Sequence, residues 1–303
     1  MPTIDTNGVS LAYETQGNPG DPALLLIMGL GMQLTSWPDS FCNTLAERGF
    51  RVIRFDNRDS GLSTKLEQFG TPNVKTAFVK SMLRMRVASG YTLHDMAKDS
   101  VGLLDALEIG SAHIVGASMG GMIAQVIAAE YPDRTLSMTS IMSTSGRRGL
   151  PGPKKEVRDA MLSRLADPDD LNEVVTRSVR FLQMIGSPRY PVPAAMLAER
   201  VIANIRRNVS PDGVARQLNA VIASGDRVSL LKKIRARSLV IHGSADPLVP
   251  PPCGRDTAQL IAGATLREID GMGHNFPPQL DETLTAMIDA HCREKKVPEG
   301  VRT

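Results

Sequence analysis

Reactive side chains in this 303-residue chain fall in a few short runs. Gly116-Ala117-Ser118-Met119-Gly120 has the Gly-x-Ser-x-Gly form, which puts a serine on a sharp turn between a strand and a helix. The flanking glycines are needed because side chains there would clash across so tight a turn. A serine hydroxyl is a poor nucleophile without a base. His274, in Asp270-Gly271-Met272-Gly273-His274, is the candidate base, on a glycine-rich loop after the last predicted strand. The base needs a carboxylate to fix its tautomer and stabilise the imidazolium. Asp246, in Gly243-Ser244-Ala245-Asp246-Pro247, is that candidate. Asp270 is a rival, but it lies so close to His274 in sequence that a base-orienting geometry is harder to reach. His113 and His242 fall within predicted strands, and His94 and His291 on helical stretches remote from strand ends.

An acyl-transfer site also needs donors for the developing oxyanion. The backbone N–H of Met119, just after the serine at a helix N-terminus, is one candidate. Leu30, in Met28-Gly29-Leu30-Gly31, is the second. Met28 and Gly29 are expected to face the substrate, with Gly29 admitting close approach of the backbone. Met28, Met32, Met119 and Met122 lie near the motifs and suggest an apolar pocket, although methionine also fills gaps in cores. The reaction these residues support is ester hydrolysis through an acyl-enzyme, with a small-molecule ester as partner and no cofactor. Carbon–carbon bond hydrolysis, lactone hydrolysis and cofactor-free haloperoxidase or perhydrolase chemistry use the same groups. A ligand receptor keeping a vestigial triad is the non-enzymatic alternative; it would release one product equivalent without steady turnover.

These residues must be held by strand ends. Asn7-Gly8 predicts a hairpin turn, and Val9, Leu11 and Tyr13 alternate along one strand face. Ala23–Met28 is a continuous apolar run, as in a strand covered on both faces. A helix follows Pro38 and stops at Gly49, and Val52–Phe55 is the next strand. Thr92 and Asp95 form a capping box for a helix that Gly110 closes. Strand Ala112–Val115 leads into a helix from Met119 to about Glu130, and Leu136–Ile141 is a further strand. Between Lys65 and Gly90 lie apolar positions at Phe78, Met82, Met85 and Val87 without a clear period.

Alternation of strand and helix predicts a doubly wound, mostly parallel α/β sheet. It breaks between Ser145 and Gly225, where helix-like stretches Leu171–Ile185 and Ala194–Asn208 lie among prolines. It resumes with strands Ser238–His242 and Thr265–Ile269. The expected division is a core of residues 1–144 and 226–303 carrying a helical cap of residues 145–225. Ser118, Asp246 and His274 each follow the C-terminal end of a predicted strand, where open parallel sheets form ligand sites.

The net charge of +3 gives no electrostatic ground for nucleic acid as a partner, and Arg147, Arg148, Lys154 and Lys155 read as a solvated loop face. No stretch approaches the ~20 apolar residues of a membrane span. The opening Met-Pro-Thr-Ile-Asp lacks the features of a signal peptide, so a cytoplasmic location is expected. Cys42, Cys253 and Cys292 are odd in number and far apart, as free thiols are, and the five histidines show no metal-ligand spacing. The sequence does not set the oligomeric state.

Leu25–Gly31, the run Phe55-Asp56-Asn57-Arg58-Asp59-Ser60-Gly61-Leu62-Ser63, Gly116–Gly121, Gly243–Asp246 and Gly271–His274 together resemble the α/β-hydrolase superfamily over nearly the whole chain. The Asp-Asn-Arg-Asp run is similar to that of aclacinomycin methylesterase-like carboxylesterases. The resemblance implies the α/β-hydrolase fold and the chain order Ser, Asp, His for the triad. Relatives often carry His-Gly where this chain has Met28-Gly29, which makes that side of the site more apolar. Ser118 at the elbow disfavours the branches with an aspartate nucleophile. Arg58 between Asp56 and Asp59 is expected to tie the strand end to its own loop.

Overall fold

The computed structural model describes residues 1–163 and 170–294. Residues 164–169 of the expected cap and 295–303 of the expected core lie outside the described residues. In chain order the elements begin with β1 (Thr3–Thr6), β2 (Val9–Gln16), β3 (Ala23–Ile27), α1 (Asp39–Glu47), β4 (Arg51–Phe55), α2 (Val74–Met82) and α3 (Leu93–Ala106). They continue with β5 (Ala112–Ala117), α4 (Met119–Glu130), β6 (Thr135–Ile141), α5 (Lys155–Leu162), α6 (Leu171–Ile185), α7 (Ala194–Arg207) and α8 (Pro211–Ser224). The last are α9 (Val228–Leu231), β7 (Arg237–Gly243), α10 (Pro251–Leu260), β8 (Thr265–Ile269) and α11 (Asp281–Arg293).

The strands form one eight-stranded sheet in the order β1-β2-β4-β3-β5-β6-β7-β8. The β1–β2 and β2–β4 pairs are antiparallel, and every later pair is parallel. The central strands β3 and β5 are buried throughout, which is why β3 reads as an unbroken apolar run and β5 as one interrupted only by His113. Side chains of a strand alternate between faces, so the sheet feeds two cores. Leu25, Ile27, Ile53, Phe55 and Ile114 pack with α3 and α4 on one side. Leu24, Leu26, Val52 and Val115 pack with α1 and α11 on the other, where Trp37, Phe41 and Phe276 meet. The helix α4 is buried from Met119 to Ala128, so it lies between layers and not on the surface.

The Asp95 carboxylate accepts from the Thr92 N–H at 2.8 Å, completing the capping box of α3. The end of that helix differs from expectation. The left-handed residue is Glu108, at φ 56°, and Gly110 lies beyond the turn. Phe78, Met82 and Met85 are more than half exposed. Only Ala77 of α2 is buried, which explains why this segment shows no core-facing period. Among the described residues five helices, α5 to α9, separate β6 from β7. Among the described residues no helix is long and apolar enough to cross a membrane.

Candidate active site

Ser118 follows β5 directly and is the N-cap of α4. Its backbone stands at φ 55°, ψ −118°, a region that costs a non-glycine residue energy and persists only when the surroundings enforce it. They do so here. A Cβ at Gly116 would lie 2.0 Å from the Gly120 carbonyl oxygen, and one at Gly120 would lie 1.9 Å from that of Ile27. The turn is therefore open only to glycine at both positions. The Ser118 N–H donates to Ile141 O at 2.9 Å, and its carbonyl accepts from Ser143 Oγ at 2.7 Å. Ser118 stays partly exposed while its neighbours on both sides are buried.

Asp246 and His274 come together from the loops after β7 and β8. His274 Nδ1 donates to Asp246 Oδ2 at 2.7 Å. The other oxygen of Asp246 accepts from the N–H groups of Leu248 and Val249 at 2.9 and 2.8 Å, so the carboxylate is held from both ends. With Nδ1 committed as donor, Nε2 keeps its lone pair and is free to take a proton. The backbone beside the imidazole is fixed by the end of α6: the His274 N–H donates to Ile185 O at 2.7 Å and the Gly273 N–H to Ser187 Oγ at 2.8 Å. Asp270 points elsewhere, into a salt bridge with Arg189 and a hydrogen bond from Ser244 Oγ.

The other histidines have different partners. His242 is fully buried, donates from Nε2 to Val249 O at 2.7 Å, and stands 3.7 Å from Asp246. Burial pushes its pKa down, so it accompanies the carboxylate as a neutral ring. His113 shares a 2.8 Å hydrogen bond with Ser137, and burial, helped by the charge of Arg237, lowers its pKa to about 4. His94 pairs with Glu130, and burial likewise lowers the pKa of His291, which lies against the Arg237 carbonyl.

The loop after β3 faces the serine. A methyl group at Gly29 would come within 3.1 Å of Ser118 Cβ and 3.6 Å of its Oγ. In this loop the Gly31 N–H donates to Gln217 Oε1 at 2.8 Å and the Met32 N–H to Gly29 O at 3.2 Å. The Leu30 N–H has no acceptor among the described residues. The Met119 N–H is the first of α4 and has no intrahelical acceptor either. The four methionines do not gather into one pocket wall. Met28 belongs to the core containing Trp37, Met119 and Met122 belong to the core on the opposite face, and Met32 is exposed. The Met28 carbonyl, which accepts from Asn57 Nδ2 at 3.0 Å, is what joins this residue to the loop.

Arg58 does not bridge Asp56 and Asp59. It makes a two-pronged ion pair with Asp99 of α3, with both contacts at 2.6 Å, and lies over the Tyr91 ring. Asp56 instead holds the Leu34 and Leu62 N–H groups and Arg207. Asp59 holds Arg216, Tyr91 and the Leu66 N–H. The physical reason is competition between partners: Arg207 of α7 and Arg216 of α8 engage Asp56 and Asp59, and Arg58 meets the buried carboxylate of Asp99. Two residues that support the site have different visibility in the sequence. Asn57 lies within the run singled out there, but nothing around Gln217 marks it. Among the described residues, no group of three or more His, Cys, Asp and Glu side chains is arranged to hold a metal.

Known proteins show the same plan. A family model described as the alpha/beta hydrolase fold matches residues 22–185, more than half of the chain. The chain is 29% identical to rhodomycin D methylesterase of Streptomyces peucetius, over 98% of this chain and 100% of that protein. It is 25% identical to the bifunctional esterase/perhydrolase of Acinetobacter calcoaceticus, over 95% of this chain and 97% of that one. Among solved structures, the enol-lactonase of Burkholderia xenovorans superposes with a TM-score of 0.72 at 25% identity, covering 97% of this chain and 100% of its own. A mostly parallel sheet, a serine elbow after a central strand and an Asp–His pair after the last two strands are thus joined to a family match. The chain belongs to the α/β hydrolase fold family.

Proposed function

We propose that Ser118, His274 and Asp246 are the nucleophile, base and orienting acid of a carboxylic ester hydrolase. Ser118 Oγ attacks the ester carbonyl carbon as its proton passes to His274 Nε2. The oxyanion is met by the N–H groups of Leu30 and Met119. Collapse of the tetrahedral adduct breaks the bond to the alkoxy oxygen, which leaves as the alcohol with the proton from His274. Water, deprotonated by the same nitrogen, then attacks the acyl-enzyme and releases the acid. Gly29 lies against Ser118 and lines the approach of the acyl group, while Met28 contributes through its backbone. No step calls for a cofactor.

The observation that carries this reading is the 2.7 Å Asp246–His274 contact, set at the same sheet edge as the strained Ser118. The similarity to rhodomycin D methylesterase supports the ester chemistry and puts methyl esters first among substrates to try. As part of the same proposal, residues 145–225 form a cap over that edge. We also place the protein in the cytoplasm, a reading supported by three buried free thiols at Cys42, Cys253 and Cys292.

The test is a panel of methyl and longer esters, lactones, a diketone and a peracid assay, run beside a serine-reactive phosphonate. Steady ester turnover, with the phosphonate's mass on Ser118 alone, is the expected result. Labelling elsewhere, or ester turnover retained in Ser118→Ala, overturns the assignment. A single burst without turnover points to a receptor instead.

A further inference from the structure

We propose that Gln217, on α8 and far in sequence from every motif, is the positioning residue that holds the oxyanion loop in its donating shape. The inference rests on the reading of Leu30 as an oxyanion donor. Gln217 is completely buried. Its Oε1 accepts from the Gly31 N–H at 2.8 Å, and its Nε2 donates to the Arg58 carbonyl at 2.7 Å. One side chain thus bridges the loop after β3 to the loop after β4.

The geometry explains why this bridge bears on Leu30. A peptide unit is planar, so fixing its N–H or its C=O fixes the whole plane. The Gly29–Leu30 peptide carries the donor N–H, and its carbonyl is held by the Met32 N–H. The Leu30–Gly31 peptide is held by Gln217 through the Gly31 N–H. Leu30 therefore sits between two pinned planes: the first carries its N–H, and the second, held by Gln217, keeps the turn from Gly29 to Met32 in the shape that lets the Met32 N–H hold the first. Without Gln217 the second plane is held only by the chain itself, at Gly31, whose φ of 66° is easily changed in a glycine.

The packing of α8 is consistent with such a task. A Cβ at Gly213 would lie 2.2 Å from the Asp59 carbonyl oxygen, and one at Gly31 would lie 2.7 Å from Val214. The Asp59 backbone thus meets Gly213 and the Gly31 backbone meets the Val214 side chain about one turn before Gln217, and Arg216 locks the helix to Asp59 through two hydrogen bonds at 2.9 and 2.6 Å. The arrangement makes α8 a fixed part of the segment between β6 and β7.

The experiment compares wild-type protein with Gln217→Met, which keeps the shape and removes both hydrogen bonds. Arg216→Lys serves as control; it loosens the same helix one residue away and leaves Gly31 untouched. Active sites are titrated with the phosphonate, so only folded enzyme is counted, and Gln217→Asn replaces the methionine variant if that one yields no titratable sites. Displacing one oxyanion donor by a fraction of an ångström is expected to lower kcat about 10- to 100-fold while KM stays within about threefold. Affinity for a boronic acid, whose tetrahedral adduct needs the same donor, should fall in step with kcat/KM. Arg216→Lys should lower Tm and keep kcat within about threefold of wild type. The proposal is overturned if Gln217→Met keeps its kcat, or if its losses in kcat, KM and boronate affinity match those of Arg216→Lys. If the phosphonate does not label Ser118 in the wild-type protein, the reading of the site fails and this proposal with it. If it does label Ser118 and Gln217→Met turns over normally, the role of Gln217 alone is wrong.

Discussion

The helical segment between β6 and β7 is attached in two ways. Its second half, α7 and α8, is held by buried charge and amide groups. Arg207 pairs with Asp56 at 2.7 Å and Arg216 with Asp59 at 2.6 Å. Gln33 donates to the carbonyls of Asn204 and Asn208, and Gln217 spans two loops. In the described part of the first half, α5 and α6, buried side chains are limited to Val157 and Ile185. That half grips the rest of the molecule through the backbone of Ile185 and Gly186 and the hydroxyl of Ser187, beside the loop of His274. Directional, desolvated contacts fix both residue type and position, because a lost partner strands a buried charge. Backbone contacts leave side-chain identity free. On the proposed cap reading, half-buried Val175, Val179, Phe181 and Leu182 of α6 are expected to vary with substrate and α8 to stay fixed.

The comparison can be broken most severely beneath the first half. If the end of α6 frames a working histidine, Asp246→Asn should lower kcat/KM by about four orders of magnitude, as loss of the orienting carboxylate does in related triads. Asp270→Asn, which touches the exposed Arg189 pair and the Ser244 hydroxyl, should stay within a few-fold of wild type. Equal effects in the two kcat/KM values would mean that Asp246 is not the acid that orients His274.

Next in size is Arg216→Met, which would strand Asp59 with its side chain fully buried. Breaking a buried pair by removing one partner costs about 3–5 kcal/mol. Urea unfolding monitored by fluorescence should show that loss as a lower midpoint with unchanged slope. An unchanged midpoint would mean that the second half is not anchored by charge.

A smaller effect is expected on α6. Phe181→Val and Leu182→Ala should shift preference among esters of increasing acyl length by roughly ten- to a hundredfold, since an apolar wall discriminates by ~1–3 kcal/mol per methylene. If every ester loses the same factor in kcat/KM, α6 is a stability element. The smallest effect belongs to Lys155→Ala at the start of α5, where the exposed Lys155–Asp159 pair should leave Tm unaltered by calorimetry.

Much of the sheet was legible because each strand and helix carries its own local signal. Ala23–Ile27, Met119–Glu130, Leu171–Ile185 and Thr265–Ile269 stand out by apolar run, period or punctuation, and the elbow by glycines that only a tight turn requires. Exposed α2 was not legible, because with one buried residue it has no period to read. Gly110 misled as a helix stop because Glu108 accepts the left-handed position that glycine usually fills.

By itself the sequence determined the order of the strands and of helices α1, α3, α4, α6 and α7, the place of Ser118 on its turn, and a short set of histidines and aspartates after strand ends. Those are properties of contiguous residues. Tertiary structure decided which of them meet: Asp246 and not Asp270 beside His274, Arg58 on Asp99, and Asp56 and Asp59 on arginines from α7 and α8. It also decided that Gln217, 186 residues from Gly31, reaches the loop after β3. Such pairs leave no local trace, because the free energy of a hydrogen bond or ion pair depends on distance and desolvation, which the fold sets only after distant segments have packed together.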